Sequence, residues 1–134
     1  MKIVAKALIT GKQGDILVLR RSATHPRFAH HFDFPGGEVE ANESPALAVA
    51  REVKEETGLT IDPSELSLLF DKKVDDGLRH VLFIVELTVT PDISLSWEHD
   101  DYAWFTKSKL LTEPLPSGVD SYYADVIEWL GTYE

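Results

Sequence analysis

The chain alternates between apolar segments and short polar turns, a pattern typical of neighbouring β-strands. In residues 14–21, Ile16 and Val18 lie on one face and Leu17 and Leu19 on the other, which predicts a strand buried on both sides. The polar turn Gly-Lys-Gln-Gly separates this strand from the first predicted strand, residues 2–10. The predicted strands are residues 2–10, 14–21, 66–74, 79–90 and a short strand through Trp104 and Phe105.

Two segments have the apolar spacing of amphipathic helices, residues 45–57 and 119–130. Ser44 is a suitable N-cap and Pro45 suits the first helical position, while Gly58 provides a stop. Strands mixed with two helices predict an α/β fold in which helices sandwich a mixed sheet. Residues 22–35 and the acidic stretch 97–101 are predicted to be loops. The second helix is expected to pack into the core through one stripe: Tyr122, Tyr123, Val126, Ile127 and Leu130.

Length and composition narrow the class of protein. The 134 residues predict a single domain, residues 1–134. The absence of cysteine excludes disulfides and thiolate metal sites, and a net charge of −10 argues against a nucleic-acid polymer as partner. No apolar run approaches the roughly 20 residues of a membrane helix. Lys6 interrupts the apolar N-terminal stretch, so we interpret that stretch as a first strand and expect a cytoplasmic protein.

The helix predicted at 45–57 concentrates acidic residues on one face. Glu52, Glu55 and Glu56 are spaced i, i+3 and i+4, which makes them neighbours on a helix surface. Crowded carboxylates repel one another, so such a face is either solvated or neutralised by a cation. Clustered carboxylate oxygens are the ligands that Mg²⁺ prefers, and Mg²⁺ readily bridges to substrate phosphates.

The spacing of residues around this helix resembles the Nudix box, G-x5-E-x7-R-E-U-x-E-E-x-G-U, where U is aliphatic. Every specified position is filled: Gly37, Glu43, Arg51, Glu52, Val53, Glu55, Glu56, Gly58 and Leu59. Two strands before the box and an acidic stretch after it also agree with the family. The chain therefore resembles the Nudix hydrolases, and MutT-like nucleotide pyrophosphatases in particular, which implies the Nudix fold.

The resemblance implies a divalent metal site. Carried over to this chain, the metal ligands are Glu52, Glu55, Glu56, Glu98 and the Gly36 carbonyl, with Mg²⁺ as the ion and Mn²⁺ as an alternative. The same three helix glutamates are the candidate catalytic residues, and Glu52 is either the general base or a metal ligand beside it. The expected structural positions of the motif are Glu43 and Arg51, which form an ion pair, and Gly37 and Gly58, which supply backbone freedom.

Substrate-binding residues are implied outside the box. Arg21 aligns with a family arginine that meets phosphates, and Asp33 and Phe34 align with residues bordering the base pocket, although Phe34 could equally be a core residue. Asp120 could accept hydrogen bonds from a purine, or simply cap the last helix. The asparagine that oxidised-guanine enzymes use near that helix is absent, since Asn42 is the sole asparagine.

The function that follows is metal-dependent hydrolysis of a (d)NTP to the monophosphate and pyrophosphate. The proline that marks ADP-ribose hydrolases is replaced by Val74, so that class is not favoured. Alternatives are a dinucleoside polyphosphate or nucleotide-sugar hydrolase, and a Nudix domain that senses nucleotides without hydrolysing them. The expected partner is a small nucleotide, with no membrane, and family members often form homodimers.

Overall fold

The sheet and helices are described by a computed structural model that covers residues 1–25, 29–89, 91–112 and 121–132. A 3-10 turn lies at Pro63–Glu65. The strands are β1 (Lys2–Thr10), β2 (Ile16–Arg21), β3 (Phe32–Asp33), β4 (Gly36–Glu38), β5 (Ser67–Asp75), β6 (Leu78–Glu86) and β7 (His99–Phe105). The helices are α1 (Pro45–Thr57), α2 (Lys107–Thr112) and α3 (Ser121–Thr132).

These strands form one mixed sheet with β1 near its centre. The order β3-β2-β1-β6-β5 runs across the sheet, while β4 pairs with β1 and β7 pairs with β2. Only the β1–β6 pair is parallel among the described strands. Strand β1 pairs with β2 at Thr10 and with β4 over Val4–Lys6, so β2 and β4 lie along different parts of the same edge of β1.

Helices cover both faces of the sheet, as predicted for an α/β sandwich. Ala5, Ala7 and Ile9 of β1 pack with Val49 and Val53 of α1. The opposite face packs against α2 and α3 through a second cluster, whose buried members include Leu8, Ile16, Val18, Leu82, Leu110, Tyr122 and Val126. The predicted division of β2, with Leu17 and Leu19 on one side and Ile16 and Val18 on the other, is confirmed.

Helix α1 begins and ends where the sequence predicts. The Ser44 hydroxyl accepts a hydrogen bond from Leu47 N at 3.2 Å, and Pro45 occupies the first turn. At the other end Gly58 has φ 78°, a left-handed conformation that glycine adopts without strain, and its N–H donates to Lys54 O. These local signals therefore fix the position of the acidic residues along the helix.

Several features differ from the sequence predictions. Phe32–Asp33 form β3 inside the predicted loop 22–35, Gly36–Glu38 form a strand that the pattern does not predict, and β6 ends at Glu86 rather than at residue 90. The acidic stretch 97–101 is only partly loop, because His99–Asp101 continue β7 and pair with β2. Helix α2 was not predicted, since its six residues are too few to show a helical period. The last helix lies at Ser121–Thr132 rather than 119–130, and residues 119 and 120 fall outside the described residues.

Of the helices in the described residues, none combines the length and the apolar character needed to cross a membrane.

Candidate active site

A cleft of about 330 Å³ lies where β4 joins β1 beside the C-terminal half of α1. Strands β2, β3 and β7 contribute its other wall. The lining residues are Lys2, Val4, Lys6, Arg21, His25, Asp33, Gly36, Gly37, Glu38, Glu52, Glu56, Glu98 and His99. Their charges divide the cleft into a glutamate end (Glu52, Glu56 and Glu98) and a lysine–arginine end (Lys6 and Arg21 with their partners Asp33 and His99).

Glu52 lies directly against the backbone of Gly37. A Cβ at Gly37 would come within 2.9 Å of Glu52 Cδ and 3.1 Å of both its oxygens, so only glycine leaves room for this carboxylate. Burial raises the pKa of Glu52 above its ordinary value, and repulsion from Glu55 and Glu98 adds to this, while Arg51 opposes it. The carboxylate is therefore held in a position where an added cation would stabilise its charge.

Glu56 is buried at the base of the cleft, with 5% of its surface exposed. Its Oε1 accepts a hydrogen bond from Gly36 N at 2.9 Å, which ties α1 to β4. Burial raises the pKa of Glu56 well above its ordinary value, and repulsion from Asp33 and Glu52 adds to the shift. Gly36 has φ 137°, and a Cβ there would collide with the backbone of β1, so this close approach also requires glycine.

Arg51 connects the helix to the loop before it. Its Nε and Nη2 donate to the two oxygens of Glu43 at 2.8 and 3.0 Å, and its Nη1 donates to Glu52 Oε1 at 2.8 Å. The hydrogen bonds from Arg51 and from Glu40 N lower the pKa of Glu43 to about 2. Arg51 thus braces the loop and holds the Glu52 carboxylate, a geometry that agrees with the expected ion pair.

Glu98 is brought to the cleft by a loop fixed to α1. Ser94 N donates to Thr57 O at 2.8 Å and Ser96 N donates to Glu56 O at 3.3 Å. On the other side, Ser22 N donates to Glu98 O at 2.9 Å. Backbone hydrogen bonds on both sides therefore place the Glu98 side chain, which remains about one-third exposed, at the glutamate end.

The lysine–arginine end is organised around Asp33. Its carboxylate lies 2.8 Å from Arg21 Nε, 3.1 Å from His99 Nε2 and 3.7 Å from Lys6 Nζ. All four side chains are at least nine-tenths buried. Burial alone would raise the pKa of Asp33, but its three partners together hold that pKa well below its ordinary value. Asp33 is therefore an ionised carboxylate that fixes cationic groups at this end.

Arg20 and Phe34 have different surroundings from their neighbours Arg21 and Asp33. Arg20 faces away from the cleft and pairs with Asp100 at 2.8 Å in an exposed position. Phe34 is 1% exposed and stacks on Tyr123 with ring centroids 5.3 Å apart, so it is a core residue in this structure. Of these residues only Arg21 and Asp33 line the cleft.

Whether a divalent ion fits these residues depends on which side chains can act together as its ligands. Within residues 1–25, 29–89, 91–112 and 121–132, no three histidine, aspartate or glutamate side chains are gathered closely enough to hold a metal ion. The chemistry nevertheless fits, because the Glu52 and Glu56 carboxylates share one cleft, have raised pKa values and lie against glycines that admit them. Glu55 does not line the cleft; its side chain is 55% exposed and lies 3.6 Å from Arg51 Nη1.

Of the described residues predicted to bind metal or substrate, six line the cleft: Glu52, Glu56, Glu98, Gly36, Arg21 and Asp33. Glu55 and Phe34 lie outside the cleft. Asp120 lies outside the described residues. Sequence reasoning did not assign a site role to Lys6, although its interruption of an apolar strand was a signal. The sequence places His99 in a predicted acidic loop, and nothing in it indicates that the His99 ring is buried against Asp33.

The fold and the cleft define a class: an α/β domain whose cleft has a carboxylate-lined end and a cationic end. The NUDIX domain model matches residues 2–130, so the chain belongs to the Nudix family. The 8-oxo-dGTP diphosphatase of Escherichia coli K12 is 35% identical over 78 residues, which span 58% of each protein. Several such relatives are named as hydrolases of nucleoside diphosphate-linked compounds. The Nudix hydrolases generally use divalent metals.

Solved structures give the same result for the fold. The crystal structure of a MutT protein from Methanosarcina mazei Go1 has a TM-score of 0.74 and 32% identity, and the match covers 97% of this chain and 92% of that one. An Ap4A hydrolase from Caenorhabditis elegans, solved as a binary complex, has a TM-score of 0.71 at 22% identity, covering 97% and 94% of the two chains. At that identity the second likeness concerns the fold alone.

Proposed function

We propose that this protein hydrolyses a (d)NTP to the monophosphate and pyrophosphate, with Mg²⁺ as the ion and Mn²⁺ as a substitute. The observation that carries the proposal is the opposition of charges in one cleft, with Glu52 and Glu56 at one end and Arg21 at the other. A metal–triphosphate needs both, because the ion requires oxygen ligands and the remaining phosphate charge requires a cation. The names of the E. coli and M. mazei relatives support the same class.

The chain's own residues have distinct roles in this proposal. Glu52, Glu56 and Glu98 hold the ion, with Glu55 and the Gly36 carbonyl as further ligands. When bound, the ion supplies neutralisation of phosphate oxygens and a lowered pKa for water. Arg21, whose Nε is held by Asp33 at 2.8 Å, donates to a phosphate oxygen.

The reaction is then an in-line displacement at phosphorus. Water attacks the α- or the β-phosphorus and its proton passes to a carboxylate; the other product, pyrophosphate for α-attack or the monophosphate for β-attack, leaves with the electron pair of the broken P–O bond. Glu52 is the candidate acceptor, because its carboxylate lines the cleft and Arg51 fixes one of its oxygens. Glu56 is better suited to hold the ion, since its Oε1 is already bonded to Gly36 N.

The test is a substrate panel with MgCl₂ or MnCl₂ containing the (d)NTPs, 8-oxo-dGTP, dinucleoside polyphosphates, nucleotide sugars and ADP-ribose. Products are resolved by ion-exchange chromatography, and ¹⁸O-water locates the attacked phosphorus. The expected result is release of a labelled monophosphate or of labelled pyrophosphate from at least one (d)NTP. Turnover confined to dinucleoside polyphosphates or nucleotide sugars would assign the alternative substrate class. Nucleotide binding with no turnover of any compound would contradict the proposal and indicate a sensing domain.

A further inference from the structure

Lys6 is a buried cation in the middle of an apolar strand. Its neighbours on the same face of β1, Val4 and Leu8, pack against α3, as the alternation of a strand requires. The Lys6 side chain is only 8% exposed and lines the cleft beside Gly36, with which Lys6 is in register. A lysine in such a position requires an explanation, because buried ammonium groups are rare unless paired.

The ammonium has weak partners. Its nitrogen lies 3.7 Å from Asp33 Oδ2, beyond hydrogen-bonding distance, and 5.4 Å from the centroid of the Tyr122 ring. In the described parts of the chain it makes no hydrogen bond, so its three N–H donors lack protein acceptors. These contacts orient the side chain without using its donors.

The hydrogen bonds of Asp33 involve residues other than Lys6, although the charge of Lys6 is the largest influence that lowers the pKa of Asp33. Asp33 Oδ2 accepts from Arg21 Nε at 2.8 Å, and Asp33 Oδ1 lies 3.1 Å from His99 Nε2. Lys6→Met would remove one member of this cluster, but Asp33 would keep Arg21 as its counter-charge and so would not become the uncompensated buried charge that makes loss of a partner strongly destabilising. The lysine is therefore better explained by a ligand than by stability of the fold.

The balance of charge indicates which ligand. Lys6 and Arg21 carry two positive charges and share Asp33 as an ion-pair partner, and Lys6 also interacts electrostatically with Glu56. In the proposed function Glu56 is taken up by the bound ion, which leaves this end of the cleft able to accept further negative charge. Lys6 is also adjacent to the glutamate end, because it pairs with Gly36, whose N–H binds Glu56. An anion held by an ion at the glutamate end would extend toward Lys6 and Arg21.

We propose that Lys6 Nζ contacts a phosphate oxygen of the substrate, so that the site grips the phosphate chain with a lysine from β1 as well as with Arg21. This inference rests on the proposed function, since it takes a phosphate chain to be the ligand. Lys6 would add to substrate affinity and to the placement of the phosphate chain. A contact with the nucleobase and a purely structural role are the other outcomes that the experiment distinguishes.

The test measures binding of inorganic pyrophosphate with MgCl₂ by calorimetry, because this probe has phosphate oxygens but no base. We expect Lys6→Met to weaken binding by about tenfold or more, the effect of losing a hydrogen bond to a charged group. Lys6→Arg should retain most of the affinity. Lys12→Met, in the exposed turn between β1 and β2, makes the same change in net charge and should bind like the wild type.

Unchanged pyrophosphate affinity in a folded Lys6→Met protein would overturn the inference, and an altered base preference alone would assign Lys6 to the nucleobase. If Lys6→Met does not fold, ¹³C-lysine NMR of the wild type replaces it, with the Lys6 signal assigned by its loss in Lys6→Arg. That signal should shift on pyrophosphate binding while the Lys12 signal does not; a stationary Lys6 signal contradicts the contact. The proposed function fails separately, when the wild type binds pyrophosphate but turns over no nucleotide.

Discussion

The two ends of the cleft are built in different ways. At the glutamate end, Glu52 and Glu56 come from one helix and face the adjacent strand at Gly36 and Gly37. The lysine–arginine end collects single residues from four strands, β1, β2, β3 and β7, that are distant in sequence. The first arrangement is encoded by local spacing, whereas the second exists only after the sheet has formed.

The comparison also shows opposite electrostatics within one cleft. Carboxylates at the glutamate end have raised pKa values, because burial and mutual repulsion oppose their ionisation. Asp33 has a lowered pKa, because three buried partners favour its charge. One end therefore gains stability by taking up a cation, and the other already holds cationic side chains. Four predictions test this division, from the largest expected effect to the smallest.

Glu56→Gln should abolish most activity while leaving the fold intact. The amide keeps an oxygen that accepts from Gly36 N, but it removes the charge that a divalent ion requires. We expect kcat to fall by about 10²–10⁴-fold, measured with the best nucleotide of the panel. Glu65→Gln, in the exposed 3-10 turn, makes the same change of charge and should keep wild-type rates. Wild-type activity in Glu56→Gln would show that the glutamate end is not the metal site.

Asp33→Asn should destabilise the protein more than its exposed counterpart Asp100→Asn. Both carboxylates accept from an arginine Nε at 2.8 Å, but the Asp33 pair is buried and the Arg20–Asp100 pair is exposed. Breaking the buried pair leaves Lys6 and Arg21 without their counter-charge, which costs about 3–5 kcal/mol of unfolding free energy. The exposed pair is screened by solvent and contributes little to the unfolding free energy. Urea denaturation measures both, and equal losses would mean that the lysine–arginine end is not electrostatically distinct.

The sequence predicted one end of the cleft and not the other. Helix α1 lies at the predicted residues 45–57, because Ser44 and Gly58 determine its limits locally. Neither the pairing of His99 with Asp33 nor the burial of Lys6 could be predicted, since both depend on β7 and β4 pairing with strands far away in sequence. Likewise, His99–Asp101 form strand because of their partner β2, despite a composition that favours loop.

Gly37→Ala should weaken metal binding without disturbing the lysine–arginine end. The added methyl would lie 2.9 Å from Glu52 Cδ, so the flexible glutamate side chain must move away. We expect a loss of about 10- to 100-fold in Mn²⁺ affinity, measured by electron paramagnetic resonance. Gly77→Ala in the β5–β6 turn is the matched control, because its methyl would meet only Asp75 at an ordinary 3.6 Å. If Gly37→Ala and its control Gly77→Ala both lost pyrophosphate binding, the effect of Gly37→Ala would not be local to Glu52.

The smallest expected effect is a pH dependence of stability that differs between the two ends. For Glu56, whose pKa is raised above 4.5, the metal-free folded state keeps a proton that the unfolded chain loses as pH rises past 4.5. The unfolding free energy therefore falls with rising pH, by at most about 1.4 kcal/mol per pH unit for one proton. For Asp33, whose pKa is lowered, stability is present above pH 3.8 and is lost as pH falls below it.

Thermal unfolding in EDTA across this range should show a loss of stability as pH rises above 4.5 (the upper slope) and a loss as pH falls below 3.8 (the acid slope). Glu56→Gln should reduce the upper slope and keep the acid slope. MgCl₂ should offset the upper slope in the wild type, because the ion binds the ionised carboxylates. An upper slope that is the same in Glu56→Gln and unaffected by MgCl₂ would place its origin elsewhere in the protein.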